Sequence, residues 1–130
     1  MMNNRQEGLA EYPQEVIDLI NNQRYFGRMN DPVGFSHVKG PCGDAMEFYL
    51  VIENDLIAEI KYYTEGCHAT RACAAMAAKL AGGKTVKEAL SISAGEVIKK
   101  LKGLPDDHLH CSILSVSALY RAIADYLFKK

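Results

Sequence analysis

From Ala45 the chain alternates apolar and polar residues with a period of two, and it breaks that alternation at Asn54-Asp55. Met46, Phe48, Leu50 and Ile52 fall on one side of an extended segment, and Glu47, Tyr49, Val51 and Glu53 fall on the other. Successive side chains of a strand point to opposite faces, so the pattern predicts a strand with one buried face. Asn and Asp suit tight turns because their short polar side chains tolerate left-handed backbone. Leu56 to Thr64 then resumes as a second strand, with Glu59 and Lys61 on its polar side. So short a connection predicts an antiparallel hairpin.

A hairpin alone is marginal in water and needs a packed face. The flanking sequence supplies helices for it. Tyr12 to Arg24 carries Val16, Ile17, Leu19 and Ile20 at helical spacing. Gly27 to Gly40 reads as irregular or extended chain, because Pro32 and Gly34 break any helix there. After Gly66 an alanine-rich helix places Ala69, Cys73, Met76 and Leu80 on one stripe and stops at Gly82-Gly83. Thr85 with Glu88 forms a capping box for a short helix through Leu90, and Ser93 with Glu96 opens another through Leu101. Gly103 and Pro105 interrupt the helical pattern. A last helix begins near Ser112, with Ile113, Val116, Tyr120, Ile123 and Leu127 expected on its buried side. The expected fold class is α+β: a small antiparallel sheet of about three strands with helices packed on one face.

At 130 residues, 48% hydrophobic and 24% charged, the chain fits a single globular domain over 1–130, with 1–11 expected as a flexible N-terminal tail. Fifteen basic against sixteen acidic residues leave a net charge of −1, without the basic excess of a nucleic-acid binder. No apolar run in the sequence approaches the roughly 20 residues that cross a bilayer, and the N-terminus lacks a signal-peptide core. The expected location is cytoplasmic, and the four cysteines are then reduced thiols.

Three of those cysteines stand at boundaries between elements. Cys42 lies in the loop before the first hairpin strand, Cys67 at the junction of the second strand with the alanine-rich helix, and Cys111 at the start of the last helix. Helix N-termini stabilise a thiolate, so Cys67 and Cys111 are expected to ionise below the ordinary thiol value of about 8.5. Asp44 and His110 are natural companion ligands. Cys73 shares a stripe with Met76 and Leu80 and reads as a core residue. Spacings of 25 and 44 residues between the three boundary cysteines match no short zinc-finger pattern. The residues by themselves point to a reduced α+β domain able to bind metal.

Gly40-Pro41-Cys42-Gly43-Asp44, Glu65-Gly66-Cys67 and Leu109-His110-Cys111-Ser112-Ile113-Leu114 together resemble the three signatures of iron–sulfur cluster assembly scaffolds of the IscU/NifU N-terminal type. Val16-Ile17-Asp18 and Ala122-Ile123-Ala124-Asp125-Tyr126 are also similar, so the resemblance runs from about Tyr12 to the end. It implies Cys42, Cys67 and Cys111 as ligands of a transient 2Fe–2S cluster, Asp44 as a ligand or labilising group, and His110 as an alternate or nearby ligand. It implies a scaffold, not a turnover enzyme, with Cys111 as first acceptor of sulfane sulfur. The implied partners are a cysteine desulfurase of the IscS/NifS type, apo iron–sulfur proteins, a ferredoxin or iron donor, and a second copy in a homodimer. Neither nucleic acid nor membrane is among them.

The same ligands would accept zinc. The alternative is therefore a zinc-binding sulfurtransferase of the SufU kind or a structural zinc protein, although the insertion that marks the SufU branch is absent between the second and third signatures. Three departures from the family pattern stand out. Leu104-Pro105-Asp106-Asp107-His108 replaces the Leu-Pro-Pro-Val-Lys handle of an Hsp70-type chaperone, which weighs against chaperone-driven transfer. His68-Ala69 follows Cys67 where small residues are usual. Asn22-Gln23-Arg24-Tyr25 stands where an Asn-Pro-Arg-Asn run is usual.

Overall fold

Asn54 and Asp55 both adopt positive φ, 53° and 64°. Such a two-residue turn has the twist of the strands it joins. The computed structural model describes residues 12–41, 43–102 and 109–130. The expected tail over 1–11, Cys42 and the stretch Leu104 to His108 lie outside the described residues. Strands β1 (Gly34–Lys39), β2 (Ala45–Glu53) and β3 (Leu56–Tyr63) form an antiparallel sheet in the order β1-β2-β3. Among the described residues the helices are α1 (Gln14–Ile20), α2 (His68–Ala81), α3 (Val86–Ala89), α4 (Ala94–Leu101) and α5 (Leu109–Lys129). This is the expected α+β fold.

Met46, Phe48, Leu50 and Ile52 are buried, as their alternation requires. Past them the pairing slips. Val51 pairs with Glu59 while Ile52 pairs with Ile57, which leaves one extra residue on β3. The bulge lets Ile57 and Ile60, three residues apart, both enter the core with Tyr62, while Leu56 stays exposed.

Helix α5 lies across β1 and β2. An added Cβ on Gly34 would sit 2.5 Å from the Ala122 carbonyl oxygen, so the strand and helix meet where only glycine fits. The Ser36 hydroxyl donates to the Ala118 carbonyl at 2.7 Å, and the Phe35 N–H donates to Asp125 Oδ2 at 3.0 Å. The alanines of α2 are buried almost all round, because small side chains let it pack between neighbours. The capping box on α3 forms with both its hydrogen bonds, and the Ser93 hydroxyl caps α4.

Three local expectations change, and one open reading is decided. The stretch Gly34 to Lys39, read as irregular or extended, is extended: a full strand paired with β2. Helix α1 ends at Ile20 instead of Arg24, because the Asn22 side chain accepts the Arg24 N–H and forms a turn. Helix α5 begins at Leu109, so Cys111 lies inside its first turn. Ile113 and Leu127, expected on the buried side of α5, are exposed, while Cys111, Leu114, Ala118, Leu119 and Ala122 are buried. Contact with β1 sets Ala118 and Ala122 against Ser36 and Gly34. At 21 residues α5 is long and apolar enough to cross a bilayer, yet about half of that stretch is buried inside the domain, as in a core helix.

Candidate functional site

Three segments converge at one end of the sheet: the turn between β1 and β2, the junction of β3 with α2, and the first turn of α5. The Gly43 N–H donates to the Gly40 carbonyl at 3.0 Å and the Gly40 N–H donates to the Asp44 carbonyl at 2.7 Å, which closes the first turn. Thr64 ties that turn to the second segment. Its hydroxyl donates to the Ala45 carbonyl at 2.7 Å and accepts the Gly66 N–H at 3.0 Å. Gly66 is thereby held beside Asp44. A Cβ built on Gly66 would lie 2.8 Å from Asp44 Oδ2 and 3.0 Å from Thr70 Cβ, so a side chain there would push the carboxylate out of place.

Cys67 occupies the N-cap position of α2 and is exposed. Cys111 is buried. Thr70, one turn into α2, stands between them. Its hydroxyl donates to Asp44 Oδ2 at 2.8 Å and lies 3.5 Å from Cys67 Sγ and 3.4 Å from Cys111 Sγ. His110 Nε2 lies 3.7 Å from Cys111 Sγ. The structure therefore brings Asp44, Cys67, His110 and Cys111 to one place. Among the described residues no three acidic, imidazole or thiol groups already form a metal-coordinating set. Asp44 and the two sulfurs meet through the Thr70 oxygen instead. Cys73 lies fully buried in the core, as expected.

The two site thiols differ in protonation. A hydrogen bond from Cys111 holds the Cys67 thiol well below its ordinary value; burial opposes this, and the N–H groups of Ala69 and Thr70 reinforce it. The same contact raises the Cys111 thiol, with burial acting in the same direction. The expectation of a lowered Cys111 thiol is corrected: beside a thiolate the second sulfur keeps its proton. Burial, followed by the Cys67 charge, pushes the Cys73 thiol up to about 12. At neutral pH, iodoacetamide is expected to label Cys67 ahead of Cys73 and Cys111, with peptide mapping as the readout. Labelling of either buried thiol first would contradict the exposures and the ionisation order.

Sequence reasoning missed Thr70 and Thr64. The available signal was a hydroxyl three residues after Cys67, on the same helix face, in an otherwise alanine-rich stretch. It also missed a polar cluster on the outer sheet face. There Glu47 accepts from Arg28 Nε at 3.1 Å, lies 3.0 Å from His37 Nδ1, and accepts from the Tyr49 hydroxyl. Burial disfavours ionisation of Glu47, but the bonds from Tyr49, Arg28 and His37 outweigh it and lower the carboxyl below its ordinary value. Arg28, His37 and Glu47 line a cavity of about 270 Å³ that reaches Asp44 and Gly66.

Comparison with known proteins finds similarity over most of the chain. The family model described as NifU-like N terminal domain matches residues 11–130. The iron-sulfur cluster assembly scaffold protein IscU 1 of Archaeoglobus fulgidus is 42% identical over 119 residues, covering 91% of this chain and 78% of that protein. The protein of the same description, IscU, from Aquifex aeolicus is 35% identical over 123 residues, covering 92% of this chain and 78% of its own. The N-terminal part of a nitrogen-fixing NifU-like protein from Brucella abortus, solved by crystallography, superposes with a TM-score of 0.67. It is 14% identical and covers 91% of this chain and 95% of that one, a likeness of fold.

Proposed function

We propose, from the premise that this chain belongs to the NifU-like N-terminal domain family, that it is a scaffold on which an iron–sulfur cluster is built and from which it is handed on. The observation that carries the reading is the meeting of Asp44, Cys67 and Cys111 around one hydroxyl, at the end of the sheet where the three signatures converge. Thiolates are the ligands iron and sulfide favour, and a carboxylate beside them binds less covalently. Such a mixed set suits a site that must release its cargo. The cargo we assign is a transient 2Fe–2S cluster held by Cys42, Cys67 and Cys111, with Asp44 as ligand or labilising group and His110 nearby.

Sulfur would come from a cysteine desulfurase persulfide. Thiolate attack on the outer sulfur moves it to the acceptor and releases the desulfurase thiolate. Cys111 is the acceptor we assign: its proton passes to the neighbouring Cys67 thiolate, and the Cys111 thiolate so formed attacks. Apo iron–sulfur proteins are the proposed recipients. A cytoplasmic location belongs to the same reading, supported by the free thiols of Cys67, Cys73 and Cys111.

Anaerobic incubation with ferrous iron, cysteine and a cysteine desulfurase, followed by addition of an apo-ferredoxin, tests the proposal. The expected result is a visible-absorbing cluster that then appears in the ferredoxin. A chain that binds zinc at this site and stimulates the desulfurase, but never yields a transferable cluster, would be a zinc-dependent sulfurtransferase, and the scaffold reading would fall.

A further inference from the structure

We propose that the Thr70 hydroxyl is a positioning group for this site: it aims the Asp44 carboxylate at the Cys67 and Cys111 sulfurs, and so sets how firmly metal is held and how readily a cluster leaves. The proposal rests on the site reading above and assigns a role to a residue outside the ligand set.

Thr70 is completely buried. A buried hydroxyl without a partner is costly, so where its bonds go is informative. A hydroxyl has one proton and two lone pairs. Its proton goes to Asp44 Oδ2 at 2.8 Å, a short bond to a charged acceptor. The same oxygen lies 3.4 Å from Cys111 Sγ and 3.5 Å from Cys67 Sγ. One oxygen thus joins side chains from the β1–β2 turn, the N-terminus of α2 and the first turn of α5. Two features fix its direction. Threonine is branched at Cβ, which restricts its first torsion. Gly66 leaves open the space through which the carboxylate reaches the hydroxyl. The Thr70 proton is committed to Asp44, so the hydroxyl holds the carboxylate aimed at the site.

Removing the outer partner of a metal ligand typically weakens metal binding by about 10–100-fold. Thr70→Val keeps the shape and deletes the hydroxyl, while Thr70→Ser keeps the hydroxyl. Zinc affinity, measured by competition with a chromophoric chelator, is expected to fall about tenfold or more in Thr70→Val and to return to the wild-type value in Thr70→Ser. Loaded with cluster, Thr70→Val is expected to share the slower decay and slower transfer to apo-ferredoxin anticipated for Asp44→Ala. It should add nothing further in the double variant, because a group that acts through Asp44 has no effect without it. Thermal midpoints check that each protein is folded, and Thr70→Ala serves as the hydroxyl-free variant if valine crowds the site.

Wild-type zinc affinity in the hydroxyl-free protein would overturn the proposal. So would a serine variant as defective as the valine one, or effects of Thr70 and Asp44 that add in full. The zinc measurement needs no cluster. A wild-type chain that builds none would refute the scaffold reading while leaving Thr70 to be judged on zinc alone.

Discussion

Cys67→Ala is expected to give no visible-absorbing cluster after anaerobic reconstitution, while Cys73→Ala gives the wild-type spectrum. Both substitutions delete one sulfur from α2, so composition and helix propensity hardly separate them. Their surroundings do. Cys67 stands exposed at the N-cap position of α2, and the Cys111 contact lowers its thiol. Iron binds the thiolate, so a sulfur already inclined to ionise is ready to serve. Cys73 is fully enclosed, with a thiol raised to about 12. It contributes packing. Its replacement by alanine leaves a small cavity and costs about 1 kcal/mol of stability, near the low end for deletions in a core. Absorbance after reconstitution and thermal midpoints of the two variants read these effects separately. A cluster retained by Cys67→Ala, or lost from a folded Cys73→Ala, would overturn the ligand assignment.

Asp44→Ala is expected to keep the three thiolates available, to lengthen the life of the bound cluster in air and to slow its transfer. A carboxylate is a harder and more exchangeable ligand for iron than a thiolate, so it gives water or an incoming ligand a way into the coordination sphere. The competing role for an aspartate after glycine is to cap its own turn. The hydrogen bonds weigh against that role. The backbone groups of Gly40, Gly43 and Asp44 close the turn, and the Asp44 side chain instead receives the Thr70 proton from across the site. A turn cap would cost roughly 1 kcal/mol when removed and leave the cluster alone. Decay of visible absorbance in air, beside the thermal midpoint, separates the two roles. An unchanged decay with a lowered midpoint would sink the functional one.

The turn at Asn54-Asp55, the capping box of Thr85 and Glu88, the Ser93 cap and the inward set on β2 were all legible from the sequence. Each depends on residues within a few positions of one another. The backbone needs a particular donor, acceptor or torsion at that point, and the residue type supplies it. Cys67 and Cys111 were legible too, because they fall at the N-terminal ends of α2 and α5. Other features depended on distant partners. Gly34 to Lys39 lacks a clear alternation, and it becomes a strand because β2 pairs with it and Ala122 packs against Gly34. Ile113 and Leu127 look like core residues by size, but the side of α5 that is buried is the one carrying Leu114, Ala118 and Ala122. The same holds within the site. The exposed thiolate and buried thiol, and the single hydroxyl that reaches Asp44 and both sulfurs, join residues 26 and 41 positions apart. Sequence alone determined which residue types stood ready at each boundary. Tertiary structure decided which of them share a proton, because a buried polar group bonds to whatever the packing brings within reach, and that partner is set by the whole fold.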